Sequence, residues 1–100
     1  MAVAFATKVV EIPRGKGRKD VRSFVTFNSN VKDAVVALNG FRLVFDDDED
    51  HRINVCEVVV EESSVAGTTV NFNVRCTYAD ENYNDSYNGS VAVTIIADVV

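Results

Sequence analysis

The sequence predicts a small all-β domain, and three observations carry that prediction. β-branched and aromatic residues dominate the apolar set, apolar positions recur with period two rather than 3.6, and turn formers break the chain at short intervals. Six or so strand-like runs at this spacing imply a sandwich. A chain of 100 residues makes one domain, able to bury on the order of 60–65% of its unfolded surface in a single core.

The first run, Val3 to Ile12, is an edge or arm strand ended by Pro13, the one proline of the chain, which lacks a ladder donor. The composition then shifts. Arg14, Lys16, Arg18, Lys19 and Arg22 place five of the ten basic residues within nine positions, in a chain of net charge −5. This block reads either as a solvated loop or as a binding or subunit contact for which the acidic run Asp46 to Asp50 is a complementary partner. A nucleic-acid groove would need interleaved aromatics and an overall basic field, and the sequence has neither.

Asp20 to Phe27 alternates, with Val21, Ser23, Val25 and Phe27 on one side, and Asn28-Ser29-Asn30 closes it as a turn. Ala34 to Phe45 is the next strand. Asn39-Gly40 inside it reads as a tight turn or as a bulge in one long bent strand. The run Asp46-Asp47-Asp48-Glu49-Asp50 is a solvated acidic turn or a cation site, although it lacks the spacing of a calcium-binding helix–loop–helix. His51 is expected to be exposed and partly charged by these neighbours.

Arg52 to Glu61 forms a strand with Ile53, Val55 and Val59 facing one way and Cys56, Val58 and Val60 the other. Ser63 to Thr69 connects it to the next. Cys56 and Cys76 fit buried strand positions, as core thiols or as a disulfide, and both are expected to react slowly in the folded chain. Two cysteines and one histidine without a C-x-x-C spacing do not make a structural zinc site.

The stretch Val70 to Ala97 reads as a hairpin-like pair of apolar strands holding a polar, aromatic loop. Val70, Phe72, Val74, Cys76 and Tyr78 share one face of the first arm. The second arm, Val91 to Ala97, is nearly continuous in apolar residues, as expected of a strand covered on both faces by a second sheet or a neighbouring subunit. Ala79 to Ser90, including Asp80, Tyr83, Asp85 and Tyr87, is the loop with the side chains for recognition.

Function classes narrow by exclusion. No stretch approaches the roughly 20 apolar residues of a membrane span, and Met-Ala-Val-Ala-Phe-Ala-Thr-Lys lacks a basic lead before a long apolar run, so neither membrane insertion nor export is expected. The compartment stays open between cytoplasmic synthesis and non-classical or virion-type display. No nucleophile elbow or glycine-rich phosphate loop is present. Asp80 and Asp85 could serve as a glycosidase pair, but a domain this small rarely forms the required cleft, so no enzyme is expected. The sequons Asn84-Asp-Ser86 and Asn88-Gly-Ser90 carry no information without a secretion signal.

From about Asp20 to Asp98 the order of motifs resembles the H-type lectin domain family, the group of snail agglutinin and the discoidin C-terminal domain. The motifs are Arg22-Ser-Phe24-Val-Thr-Phe27, Ala34-Val-Val-Ala-Leu-Asn-Gly-Phe41, Asp50-His-Arg52-Ile-Asn-Val55, Thr77-Tyr-Ala-Asp80 and Val91-Ala-Val-Thr-Ile-Ile-Ala97. Tyr78 stands where the family usually has Trp, Ile96 replaces an aromatic in the last strand, and the loop after Asp80 is longer.

The resemblance implies a six-stranded antiparallel β-sandwich over 20–100, with an extra arm or strand and the basic loop over 1–19. It also implies a homotrimer, often paired into a hexamer, that binds galactose or N-acetylgalactosamine between protomers without a cofactor. Carried over by motif, Arg52 would donate to sugar hydroxyls, Tyr78 would be the stacking platform and Asp80 a polar contact. Arg18 and Asp20 would come from the adjacent subunit. The rival reading is a structural, receptor-binding or assembly module that keeps the lectin-like trimer and has lost sugar binding.

Overall fold

In a computed structural model, residues 2–47, 51–82 and 84–100 are described. Six strands follow in chain order: β1 (Ala2–Gly15), β2 (Lys19–Thr26), β3 (Val31–Phe45), β4 (Ile53–Ala66), β5 (Thr69–Asp80) and β6 (Tyr87–Val99). They form two three-stranded antiparallel sheets in the orders β1-β6-β3 and β2-β5-β4. The chain is therefore all-β, and the N-terminal segment is a full edge strand rather than an appended arm. Pro13 falls at an irregularity in the β1–β6 ladder between Ile12 and Gly15, where a missing donor costs little.

β5 and β6 are the central strands of opposite sheets, so the expected hairpin from Val70 to Ala97 does not form. The connection over 81–86 carries the chain from one sheet to the other. The single tight hairpin among the described residues joins β4 to β5 through Gly67 and Thr68, with Gly67 at a positive φ of 60° that suits glycine. It is shorter than the Ser63 to Thr69 connection read from sequence, because β4 continues through Ser63 and Ser64.

One core lies between the sheets. Val70, Phe72, Val74 and Cys76 of β5 meet Val91, Val93, Ile95 and Ala97 of β6, and all eight are fully buried. Each large apolar side chain so buried stabilises the fold by about 1.5–3 kcal/mol. Val10, Ile12, Ala34 and Leu43 close the core on the β1 and β3 sides.

The β3 register settles the Asn39-Gly40 alternative. Leu38 pairs with Val93 and Gly40 with Ala92, leaving Asn39 as a one-residue bulge. The extra residue reverses the face of everything after it: Ala34, Val36 and Leu38 share the inner side before the bulge, and Phe41, Leu43 and Phe45 after it, with Leu38 and Phe41 beside the bulge still 41% and 48% exposed. A second bulge, between Glu62 and Ser64, does the same for β4.

β6 is not covered on both faces within one chain. Ala92, Thr94 and Asp98 are half-buried and Ile96 is exposed. Phe5 and Val9 of β1 and Val35 of β3 flank them on the same outer face, each more than half exposed. Cys76 is buried, but Cys56 is exposed and both thiols are free, which corrects the expectation of two protected cysteines. Cys56 faces inward on β4, yet β4 is an edge strand and the seam beside it is open.

Candidate functional site

Residues 16–18, 46–47, 51–52, 81–82 and 84–86 gather at one end of an elongated molecule of 51 × 17 × 17 Å. Tyr87, the first residue of β6, ties this end together. Its ring is fully buried, and its hydroxyl donates to the Gly17 carbonyl at 2.6 Å, with the Cys76 carbonyl at 3.2 Å. The Lys19 ammonium lies 3.8 Å from the ring centroid and donates to the Tyr87 and Pro13 carbonyls. Burial lowers the Lys19 pKa and raises that of the Tyr87 hydroxyl. Tyr87 is thus a core residue and not a loop aromatic. Tyr83 lies outside the described residues.

His51 forms the centre of the neighbouring cluster. Its side chain is only 8% exposed, which overturns the expectation of an exposed imidazole. Nε2 is 2.6 Å from Asp47 Oδ1, and Nδ1 is 3.0 Å from Asp80 Oδ2 and 3.6 Å from Asp85 Oδ2. The ring also lies 4.2 Å from that of Phe45, tilted by 35°. Hydrogen bonds to the Asp47 and Asp80 carboxylates raise the His51 pKa to about 9, so at neutral pH it is an imidazolium among three acids.

Asp80 is lowered to about 2 by hydrogen bonds from Asp85 and His51, while the shared proton and burial raise Asp85. The donor atoms of Asp47, His51 and Asp85 lie within 4.8 Å of one another, which is compact enough for a cation. His51 would first have to release a proton already held between carboxylates. Asp48, Glu49 and Asp50 of the acidic run lie outside the described residues. Asp46 pairs with Arg14 at 3.3 Å and accepts from Ser86 and Asn88, so the basic and acidic blocks meet within one chain at this point.

The residues singled out in the sequence fall into three places. Arg52 and Asp80 line one open, strongly polar cleft of about 600 Å³ with Asn82, Asn84 and His51. Arg52 is exposed at the mouth, and Asp80, 8% exposed, forms the wall and accepts from the Asn82 amide. Tyr78 sits behind that wall: its ring stacks on Phe45 at 4.5 Å and meets Tyr87 edge-on at 5.9 Å. One face is thereby occupied, and Tyr78 is no open platform in the single chain. Arg18 and Asp20 pair with each other at 3.4 Å and belong to a separate groove across β2, β5 and β4.

Sequence reasoning missed His51 as an organising residue and Tyr87 as a core one. The pattern Asp80–Asp85–Tyr87, two acids and an aromatic opening a strand, was the available signal. No family model, curated protein or solved structure matches the chain.

Proposed function

We propose that the protein is a carbohydrate-binding module for galactose- or N-acetylgalactosamine-type sugars, related to the H-type lectins and working as a homotrimer or a hexamer. The observation that carries this reading is the end cleft, where Arg52 and Asp80 stand together with the amides of Asn82 and Asn84. Guanidinium, carboxylate and amide groups pair with the vicinal hydroxyls of a sugar. Self-association rests on the outer face of the β1-β6-β3 sheet, where Val3, Phe5, Val9, Val35 and Ile96 stand exposed. In the same face Asp98 Oδ1 is buried with no hydrogen-bond partner among the described residues, an acceptor that a neighbouring chain could satisfy.

Calorimetry with galactose and N-acetylgalactosamine tests the reading. Arg52→Ala removes charge-assisted hydrogen bonds of about 1.5–3 kcal/mol, a ten- to hundred-fold loss of affinity with the fold intact. Saturable binding indifferent to Arg52→Ala would place the site elsewhere. The second reading, an assembly or receptor-binding module without sugar binding, is favoured by the Tyr78 ring, whose stacking face is taken by Phe45. Absence of binding to either sugar, with an oligomer in light scattering, selects it.

A further inference from the structure

A second concavity lies outside the end cleft, on the outer face of the β2-β5-β4 sheet. It is an open groove of about 700 Å³ crossing all three strands, walled by Arg22 of β2 and Glu61 of β4 and floored by Asn71 and Asn73 of β5. Two features distinguish it from an ordinary wet sheet face. Asn is depleted in strands because its amide competes with the backbone, yet two outward positions of a central strand are Asn here. Local choices that contradict the element they sit in concentrate at functional positions. The bulge between Glu62 and Ser64 falls in the groove wall and re-aims β4 at this point.

The polar groups are held in place. Asn73 Nδ2 donates to Asp20 Oδ1 at 3.1 Å, and Asn71 Nδ2 donates to Ser64 Oγ at 3.2 Å. Each amide therefore keeps its carbonyl oxygen and its second N–H for a ligand. Cross-strand pairing puts Arg22 beside Asn73 and Glu61 on its other side, so a donor, an amide and an acceptor follow one another in one row. In the next row Phe24, 54% exposed, stands beside Asn71 just outside the groove lining, with the Lys8 ammonium 4.7 Å from its ring centroid. The β2 wall alternates Arg18, Asp20 and Arg22 while the β4 wall carries Glu61 and Glu62, and this mixture of signs disfavours a polyanion or polycation. A neutral chain carrying many hydroxyls fits alternating donors and acceptors beside one aromatic ring.

We infer that this groove binds an oligosaccharide segment, so that the protein reads a glycan chain on its sheet face as well as a terminal sugar at its end. The inference rests on the carbohydrate reading above and extends it to a second site. Asn71 and Asn73 are the specificity groups, Arg22 and Glu61 the flanking hydroxyl partners, and Phe24 the stacking surface at one edge.

The test is calorimetry on the full chain with galactose and with β-1,4-linked galactotetraose. Four proteins are compared: wild type, Asn71→Ala/Asn73→Ala, Arg52→Ala, and Thr26→Ala as a variant on the same face outside the groove. Two lost hydrogen bonds predict at least five-fold, and on the order of ten- to hundred-fold, weaker tetraose binding by the double variant. Galactose binding should stay unchanged in it, and tetraose binding unchanged in Thr26→Ala. In wild type, the side-chain amide resonances of Asn71 and Asn73 should shift on adding tetraose, which decides the matter even if the double variant folds poorly. Tetraose binding with unmoved amides overturns the groove and leaves the end cleft standing. Tetraose binding lost in the double variant but indifferent to Arg52→Ala supports the groove and overturns the end cleft. No binding of either sugar overturns both.

Discussion

Replacing Tyr87 by Phe removes a single oxygen from a fully buried ring, which makes it a sharp probe of how the site-bearing end is held. The hydroxyl has one proton and two carbonyl acceptors, Gly17 at 2.6 Å and Cys76 at 3.2 Å. The phenyl ring retains the Lys19 ammonium at 3.8 Å and the edge contact with Tyr78, so packing is preserved. A typical hydrogen bond contributes about 0.5–1.5 kcal/mol net, and a buried acceptor left without a donor costs about 1–3 kcal/mol. The expected loss is therefore about 1–3 kcal/mol out of the roughly 5–15 kcal/mol of a domain. At about 4–8 °C per kcal/mol for a chain of this size, the midpoint should fall by at least ~4 °C. Urea unfolding followed by circular dichroism measures it, with the denaturant slope unchanged because the same surface is exposed. Tyr87→Ala sets the upper mark at about 3–5 kcal/mol. A Tyr87→Phe variant within 0.5 kcal/mol of wild type would show that the hydroxyl does not pin the loop over 16–18.

Two further outcomes follow from the same end of the molecule. His51 has a folded pKa near 9 against an ordinary value of 6.5. Its stabilising contribution is complete below about pH 6.5 and disappears as pH rises through 9, so the thermal midpoint should decline across that window in wild type and stay flatter in His51→Gln. At the acid side, Asp80 holds a pKa near 2, and its contribution should disappear as pH falls from about 4 toward 2, partly offset by Asp85, which shifts the other way. A midpoint equally sloped in both proteins between pH 6.5 and 9 removes His51 from the account. Gly89→Ala is expected to be severe, since an added Cβ would lie 1.8 Å from the Arg42 carbonyl oxygen and 3.0 Å from Leu43 Cα, both backbone atoms of β3. The cost should exceed the 1–3 kcal/mol of ordinary overpacking, and a wild-type melting curve for this variant would contradict the β3–β6 register.

The fold was legible where local alternation and burial agree. β5 alternates from Thr69 to Cys76, and Val70, Phe72, Val74 and Cys76 are buried as their spacing requires. It was illegible where a single residue reverses parity: Phe41, Leu43 and Phe45 share a face with Leu38 only because Asn39 is looped out, and no composition signal separates that from a turn. Strand partnership was also hidden. β5 and β6 are neighbours in sequence with apolar runs, which suits a hairpin, but both can be central only if they lie in different sheets. At the site, Arg52 and Asp80 line one cleft. The His51 cluster was hidden because acids 29 and 34 positions further along the chain, Asp80 and Asp85, converge on it only after the sheets pack.

The two outer faces of the molecule differ in kind. On the β1-β6-β3 sheet, Val3, Phe5, Val9, Val35 and Ile96 face outward. On the β2-β5-β4 sheet, the corresponding positions are Asp20, Arg22, Asn71, Asn73, Arg75 and Glu61, cross-linked by ion pairs and an amide hydrogen bond, with Phe24 the exposed apolar exception. If both faces met only water, both should alternate apolar-in and polar-out, as antiparallel sheets with one solvated side do. Only the second does so. Exposed apolar surface on one side and an ordered polar comb on the other make physical sense together if copies of the chain meet through the first sheet, leaving the second outward with its groove open. If the chain binds sugars as proposed, several grooves on one assembly would act together, and weak individual contacts would add through effective concentration.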